Sequence, residues 1–257
     1  MRRLLAALAA LAALAGLAGP GGAQAAEPIK LYYFQRPPLY MQDDQGRPAG
    51  VLLELAGRIM QRAGLEHSLV EVPAKRALLA IERNELACAV GWYRLAARER
   101  YATFSLPIHR DAPQVAVVRR SAARDLPRPA TLDDLMGRPL TLGLIDGFYY
   151  GPLAERKIDQ HQPRLQRITG QVGQLMHMAA LGRCDWLLAN RQEADWHLGH
   201  DTELSQELCV VELSDHAQGN LRHLMCGPSL GRAAMDRIDQ AILALVGDLR
   251  AEAGPRP

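Results

Sequence analysis

Apolar and polar positions along the chain follow two rhythms that take turns. Residues 29–34, 68–72 and 86–90 are short runs rich in branched, aromatic or continuous apolar side chains, and each predicts a strand. Between them, residues 50–63 and 74–83 place apolar side chains every three or four positions and predict helices. Gly64 stops the first helix, and the second carries Ala77, Leu78 and Ile81 on one face. Residues 115–119, after Pro113, predict another strand. The stretch 121–129 is rich in Arg, Pro and Ala and has no period. The pattern then restarts at Thr131, which with Asp134 three residues on resembles a capping box. Strands at 140–145, 165–168 and 185–189 now alternate with helices at 153–160 and 172–181. Residues 209–213 and 221–225 read as late strands. Ser229 opens a last amphipathic helix whose apolar face is Ala234, Ile238, Ile242, Leu245 and Leu249.

Two similar β-α-β-α-β units therefore make up the chain. Strands alternating with helices imply parallel sheets, so the predicted fold is α/β: two lobes, each a mostly parallel sheet flanked by helices, with a cleft between them. The first residues stand apart. Arg2 and Arg3 precede an apolar run from Leu4 to Ala18, and Ala23-Gln24-Ala25 has the form of a cleavage site. A run of 15 residues is short for a membrane span and fits a secretory signal peptide over 1–25, so the mature protein is expected to be exported, periplasmic and soluble.

Composition changes this picture little. The 257 residues hold 30 Lys and Arg against 28 Asp and Glu, and Arg2 and Arg3 account for the excess. Near-neutrality argues against nucleic acid as a partner. Four cysteines, Cys88, Cys184, Cys209 and Cys226, are even in number, which permits disulfides in an exported protein; buried thiols in strands fit equally well. None has metal-like C-x-x-C spacing. His197 and His200 lack a third ligand nearby, His177 lies between two methionines on a helix, and the Gly-containing turns lack a phosphate-binding fingerprint, so no metal or cofactor is expected.

The aromatic residues carry more. Nine of 13 cluster where predicted strands end: Tyr32, Tyr33, Phe34 and Tyr40; Trp92 and Tyr93; Phe148, Tyr149 and Tyr150. Ligands of open parallel sheets bind just beyond the C-terminal strand ends, so these rings suggest the walls of a pocket. Charged and amide groups adjoin the same places: Arg36, Arg76, Arg94 and Arg98 in the first unit, Asp146, Asn190 and Glu193 in the second. Arg76 opens a helix, where a cation opposes the dipole. An arginine fork in a partly dry cleft can hold a carboxylate through two charge-assisted bonds.

With these residues the sequence resembles the bacterial extracellular solute-binding proteins of family 3, the polar amino-acid-binding type, over essentially its whole mature length. Pro37-Pro38-Leu39 is followed by Gly46 and Gly50; then come Pro73 with Arg76, the run Cys88-Ala89-Val90-Gly91-Trp92-Tyr93, and Arg98 with Phe104-Ser105-Leu106-Pro107. In the second unit Asp133, Leu135 and Gly137 lead to Asp146-Gly147, and Gly182 with Asp185 matches the family's G-x-x-D. The resemblance implies that Arg98 binds a ligand carboxylate. It departs where Ala97 replaces a glutamate, where Gly91, Trp92 and Arg94 replace small hydroxylated residues, where Phe148 and Tyr149 replace a Ser or Thr, and where Asn190 replaces the acid that takes an amino group, unless Glu193 supplies it.

What the resemblance implies is a monomeric periplasmic binding protein, without catalysis, that closes on a small polar, carboxylate-bearing, amino-acid-like ligand. Its partner is an inner-membrane ABC permease, or alternatively a membrane sensor. The other alternative is an enzyme like cyclohexadienyl dehydratase, with Glu193 as the acid. Expected ligand contacts are Arg36, Arg76, Gly91, Trp92, Tyr93, Arg94, Arg98, Phe148, Tyr149, Tyr150, Asn190 and Glu193. Lobe 1 is expected over 26–118 and 219–257 and lobe 2 over 119–218, with hinge crossovers near 115–120 and 214–220. These bounds give lobe 1 a charge of +3 and lobe 2 a charge of −3. They also make Cys88–Cys226 and Cys184–Cys209 the expected disulfides, one within each lobe.

Overall fold

The computed structural model describes residues 27–215 and 219–250. The leader expected over 1–25 lies outside them. Among the described residues no helix is long and apolar enough to cross a membrane.

Two five-stranded sheets form the cores of two lobes. The first lobe begins with β1 (Ile29–Tyr33), a small ribbon of β2 (Met41–Gln42) and β3 (Pro48–Ala49), α1 (Val51–Arg62), β4 (His67–Glu71), α2 (Ala74–Glu82), β5 (Ala87–Tyr93), α3 (Ala96–Glu99) and β6 (Thr103–Arg110). The chain then crosses into the second lobe: β7 (Gln114–Arg119), α4 (Leu132–Met136), β8 (Thr141–Ile145), α5 (Pro152–His161), β9 (Arg164–Ile168), α6 (Val172–Ala180), β10 (Trp186–Asn190), α7 (Arg191–His200), α8 (Thr202–Glu207) and β11 (Leu208–Glu212). It returns as β12 (Leu221–Cys226), a short 3-10 turn at Pro228–Leu230, and α9 (Arg232–Leu245). Thr131 and Asp134 cap α4 reciprocally, as the sequence pattern predicts. Gly231, not Ser229, caps the last helix.

The first sheet runs β4-β1-β5-β12-β6, with β4, β1 and β5 parallel and β12 antiparallel to both neighbours. Each face buries a separate apolar layer. Leu31 and Tyr33 pack with Leu52, Ile59, Ile238 and Ile242 of α1 and α9. Tyr32, Trp92 and Met225 pack with Ala77 and Ile81 of α2 on the opposite face. The second sheet runs β11-β7-β10-β8-β9 and is also sandwiched, with Trp186 and Leu188 facing α4 and α5, and Leu187 facing Leu175 and Met176 of α6. Alternation of the strand side chains dictates this two-sided burial.

Two expectations need correction. The lobe boundary after 118 falls inside β7, which pairs antiparallel with β10 and β11 and so belongs wholly to the second lobe. The outward crossover is therefore residues 111–113, where Asp111 N–H donates to Asn220 O of the returning chain at 2.9 Å. The two crossovers run so close that a Cβ on Gly219 would lie 1.6 Å from Asp111 O. The Cys184–Cys209 disulfide is absent: both thiols are free. Cys184 packs on the α6 side of its sheet and Cys209 on the α4 and α5 side, so the sheet itself stands between them. Cys88 and Cys226 face each other in register on β5 and β12 and are disulfide-bonded.

Candidate functional site

A cavity of about 800 Å³ lies between the lobes. It is built where strands end. From the first lobe come Phe34 and Arg36 after β1, Glu71 and Val72 at the end of β4, Lys75 and Leu78 of α2, and Gly91, Trp92 and Tyr93 at the end of β5. From the second come Ile145 through Tyr149 after β8 and Thr169 to Gln171 after β9.

The walls are aromatic and cross the cleft. Phe34 meets Trp92 edge-on with centroids 6.1 Å apart and reaches Phe148 of the other lobe at 6.2 Å. Tyr93 meets Tyr149 edge-on at 6.4 Å. These lie within the range where ring quadrupoles favour tilted and edge contacts. Gly91 has φ +72, and a Cβ there would sit 1.8 Å from the Tyr40 hydroxyl. A glycine at this strand end lets Tyr40 fill the space beneath the site.

Three arginines face the cavity in different states. Arg36 crosses the cleft to Glu193 of α7 through a fork, Nε to Oε1 at 2.5 Å and Nη2 to Oε2 at 2.8 Å. Glu193 is 0% exposed and Arg36 13% at the side chain. The guanidinium also lies 4.8 Å from the centre of the Phe148 ring. Burial alone would lower its pKa, but the Glu193 carboxylate outweighs burial and raises it.

Arg222, at the start of β12, is buried beside the crossover. Its Nε donates to Asp111 at 2.6 Å, Nη1 to Gly91 O at 2.9 Å, and Nη2 to the Tyr93 hydroxyl at 3.1 Å. Tyr93 in turn donates to the other Asp111 oxygen at 2.5 Å. Burial would raise the Asp111 pKa; the charge and hydrogen bond of Arg222 hold it below its ordinary 3.8. Burial and the Asp111 charge push the Tyr93 phenol up to about 12 against the pull of Arg222.

Arg98 differs from both. Its Nη1 donates to Tyr93 O at 3.0 Å and its guanidinium stacks over Trp92 at 4.8 Å, but no carboxylate among the described residues meets it. Burial accordingly lowers its pKa. The cavity thus presents a half-buried, fork-shaped donor with most of its N–H groups unspent.

Of the residues expected at the site, Arg36, Gly91, Trp92, Tyr93, Arg98, Phe148 and Tyr149 line the cavity. Five do not. Arg76 points one helical step away from Lys75 into a separate surface cleft with Arg83 and Glu85. Arg94 is exposed and bonds Glu99 at 2.5 Å. Tyr150 is buried in the second lobe, where its hydroxyl accepts from Ile145 N–H at 2.8 Å. Asn190 is buried and caps α7 through its Oδ1 on Gln192 N–H. Glu193 is sealed behind Arg36. Glu71, Lys75, Thr169 and Gln171 were missed, although the strand-end rule reaches Glu71 and Thr169. Arg222 lies at the start of an antiparallel strand, β12, and that rule does not reach it.

A family model described as bacterial extracellular solute-binding proteins, family 3, matches residues 32–246. No curated protein matches the chain. Among solved structures, the VFT2 domain of Bordetella pertussis BvgS (a double mutant) is 19% identical with a TM-score of 0.69, over 87% of this chain and 90% of that one. An ancestral arginine-binding protein bound to arginine is 15% identical with a TM-score of 0.68, over 87% and 95%. Holo ArgBP from T. maritima is 20% identical with a TM-score of 0.68, over 88% and 94%. At these identities the likeness is one of fold, and that fold is the two-lobed one described above.

Proposed function

The chain belongs to the bacterial extracellular solute-binding proteins, family 3, and we propose that it captures a small, polar, carboxylate-bearing solute in the interlobe cavity. The solute's carboxylate docks on Arg98 and the second lobe closes over it. One observation carries the reading: Arg98 is the arginine of the cavity that has no acid partner among the described residues. A carboxylate on its free N–H groups gains charge-assisted bonds in a half-dry setting, where they are about twice as strong as neutral ones. Closure follows if the ligand binds the closed state better than the open one.

The reading is non-catalytic. Glu193, the acid a dehydratase would need, is already held by Arg36 with both oxygens. The protein acts in the periplasm after loss of its leader, as a monomer, and passes its ligand to an ABC permease. Fold likeness to the BvgS domain favours a second reading, delivery to a membrane sensor. Stimulation of ATP hydrolysis by the cognate permease in proteoliposomes separates the two: it supports transport, and its absence with loaded protein favours sensing.

The test of capture is a thermal-shift screen of amino acids, polyamines, and mono- and dicarboxylates, followed by calorimetry. A carboxylate is expected to raise the melting temperature, by about 2.7 kcal/mol of stabilisation at a hundred times its Kd. Arg98→Ala is expected to abolish binding while circular dichroism stays unchanged. Unaltered affinity in that variant defeats the role given to Arg98.

A further inference from the structure

Which carboxylates fit can be read from the remaining charges of the cavity, taking Arg98 as the carboxylate site proposed above. On the basic side, Arg36 and Arg222 are committed to Glu193 and Asp111, whereas Arg98 and Lys75 have no acid partner among the described residues. On the acidic side, Glu193 is wholly buried with both oxygens on Arg36. Glu71 spends Oε2 on the amides of Gln35, at 2.7 Å, and Gln42, at 3.1 Å. Asp146 is exposed and stands 4.0 Å from Arg167. The interior therefore offers a carboxylate an unspent guanidinium and offers an ammonium no buried acid.

The walls point the same way. Phe34, Trp92 and Tyr93 face Phe148 and Tyr149, a lining suited to a flat or branched apolar body. The indole Nε1 of Trp92 is buried and has no acceptor, a second unspent donor beside Arg98. An α-ammonium brought in beside Arg98 would surrender its water shell among cations and meet no buried carboxylate in return, since Glu71 and Asp146 lie at the exposed rim.

We propose that the cleft selects carboxylates with an apolar or aromatic body and no α-ammonium, and that the Arg36–Glu193 pair enforces the choice by consuming the acid that an amino acid would need. The ion pair thus acts twice, joining the lobes and setting the ligand class.

Matched ligands test this by calorimetry on the full-length mature protein: phenylalanine against 3-phenylpropanoate, leucine against 4-methylpentanoate, and glutamate against glutarate. The tightest ligand is expected to be a deamino acid, about tenfold or more tighter than its amino-acid counterpart. An amino acid that binds as tightly as its deamino counterpart, or tighter, overturns the selection and leaves carboxylate capture at Arg98 standing. No binding by any carboxylate overturns both, and binding that persists undiminished in Arg98→Ala overturns the capture site alone. Arg36→Gln frees Glu193 and is expected to narrow the gap within each pair by about tenfold. An unchanged gap in a variant with a native circular dichroism spectrum overturns the role given to the ion pair.

Discussion

Among the described residues, two buried arginine–carboxylate pairs flank the cleft, and they differ in kind. Arg222 and Asp111 sit at the root of the cleft, each 3% exposed at the side chain, and both bond the Tyr93 hydroxyl, while Arg222 also donates to Gly91 O. Both partners belong to the first lobe or its crossover, so the pair persists whether the lobes are open or shut. Arg36 and Glu193 belong to different lobes, 157 positions apart in sequence, and the pair exists only while the lobes touch. A buried ion pair gains little over an apolar contact, but breaking one by removing a single partner is costly, because it strands a charge. At the root that cost falls on folding. Across the cleft it falls on closure, since opening returns Arg36 to water.

Asp111→Ala strikes the root pair and is expected to have the largest effect, a loss of roughly 3–5 kcal/mol of stability in denaturant titrations. A loss below 1 kcal/mol would show that Arg222 finds other partners. The same pair shapes the acid limb. Asp111 has a depressed pKa in the folded protein, so between that value and its ordinary 3.8 the unfolded chain binds more protons. Its contribution is present in full above pH 4 and fades as pH falls through the folded value. Asp111→Asn is expected to lack that part of the acid sensitivity in pH-dependent unfolding.

Glu193→Gln strikes the cleft pair. Closure is expected to weaken by roughly 2–5 kcal/mol, seen as a larger radius of gyration by small-angle scattering of the ligand-free protein, with the denaturant midpoint nearly unchanged. A fallen midpoint with unchanged scattering would make the two pairs alike after all. Phe148→Ala leaves the ion pair in place, removes the ring beneath Arg36 with its contact to Phe34, and is expected to shift closure the least, by about 0.5–2 kcal/mol.

Much of the fold was legible because alternating periods announce it, and the capped α4 shows how local that information is. What escaped has physical reasons. Pro107 sits inside β6 and masks that strand in the sequence pattern, and α7 is a polar helix, RQEADWHLGH, with no apolar stripe to betray it. At the site, strand ends located Trp92, Tyr93, Phe148 and Tyr149 in the cavity wall. Helix rotation was not legible: one step separates Lys75, which faces the cavity, from Arg76, which does not. Nor was pairing, because Arg36 and Glu193 each stood out singly while nothing local in the sequence joined them.

The place of β12 has a consequence for how the chain assembles as it is made. This strand lies between β5 and β6, which are neighbours in sequence, and it arrives only after the whole second lobe. The second lobe is one continuous stretch and can complete its sheet alone, while β5 and β6 wait with unpaired edges for residues 221–226. Such edges invite wrong partners. Pulse-labelled hydrogen exchange during refolding is therefore expected to protect Trp186–Asn190 before Ala87–Tyr93, and the disulfide from Cys88 to Cys226 then locks the late strand into the early one.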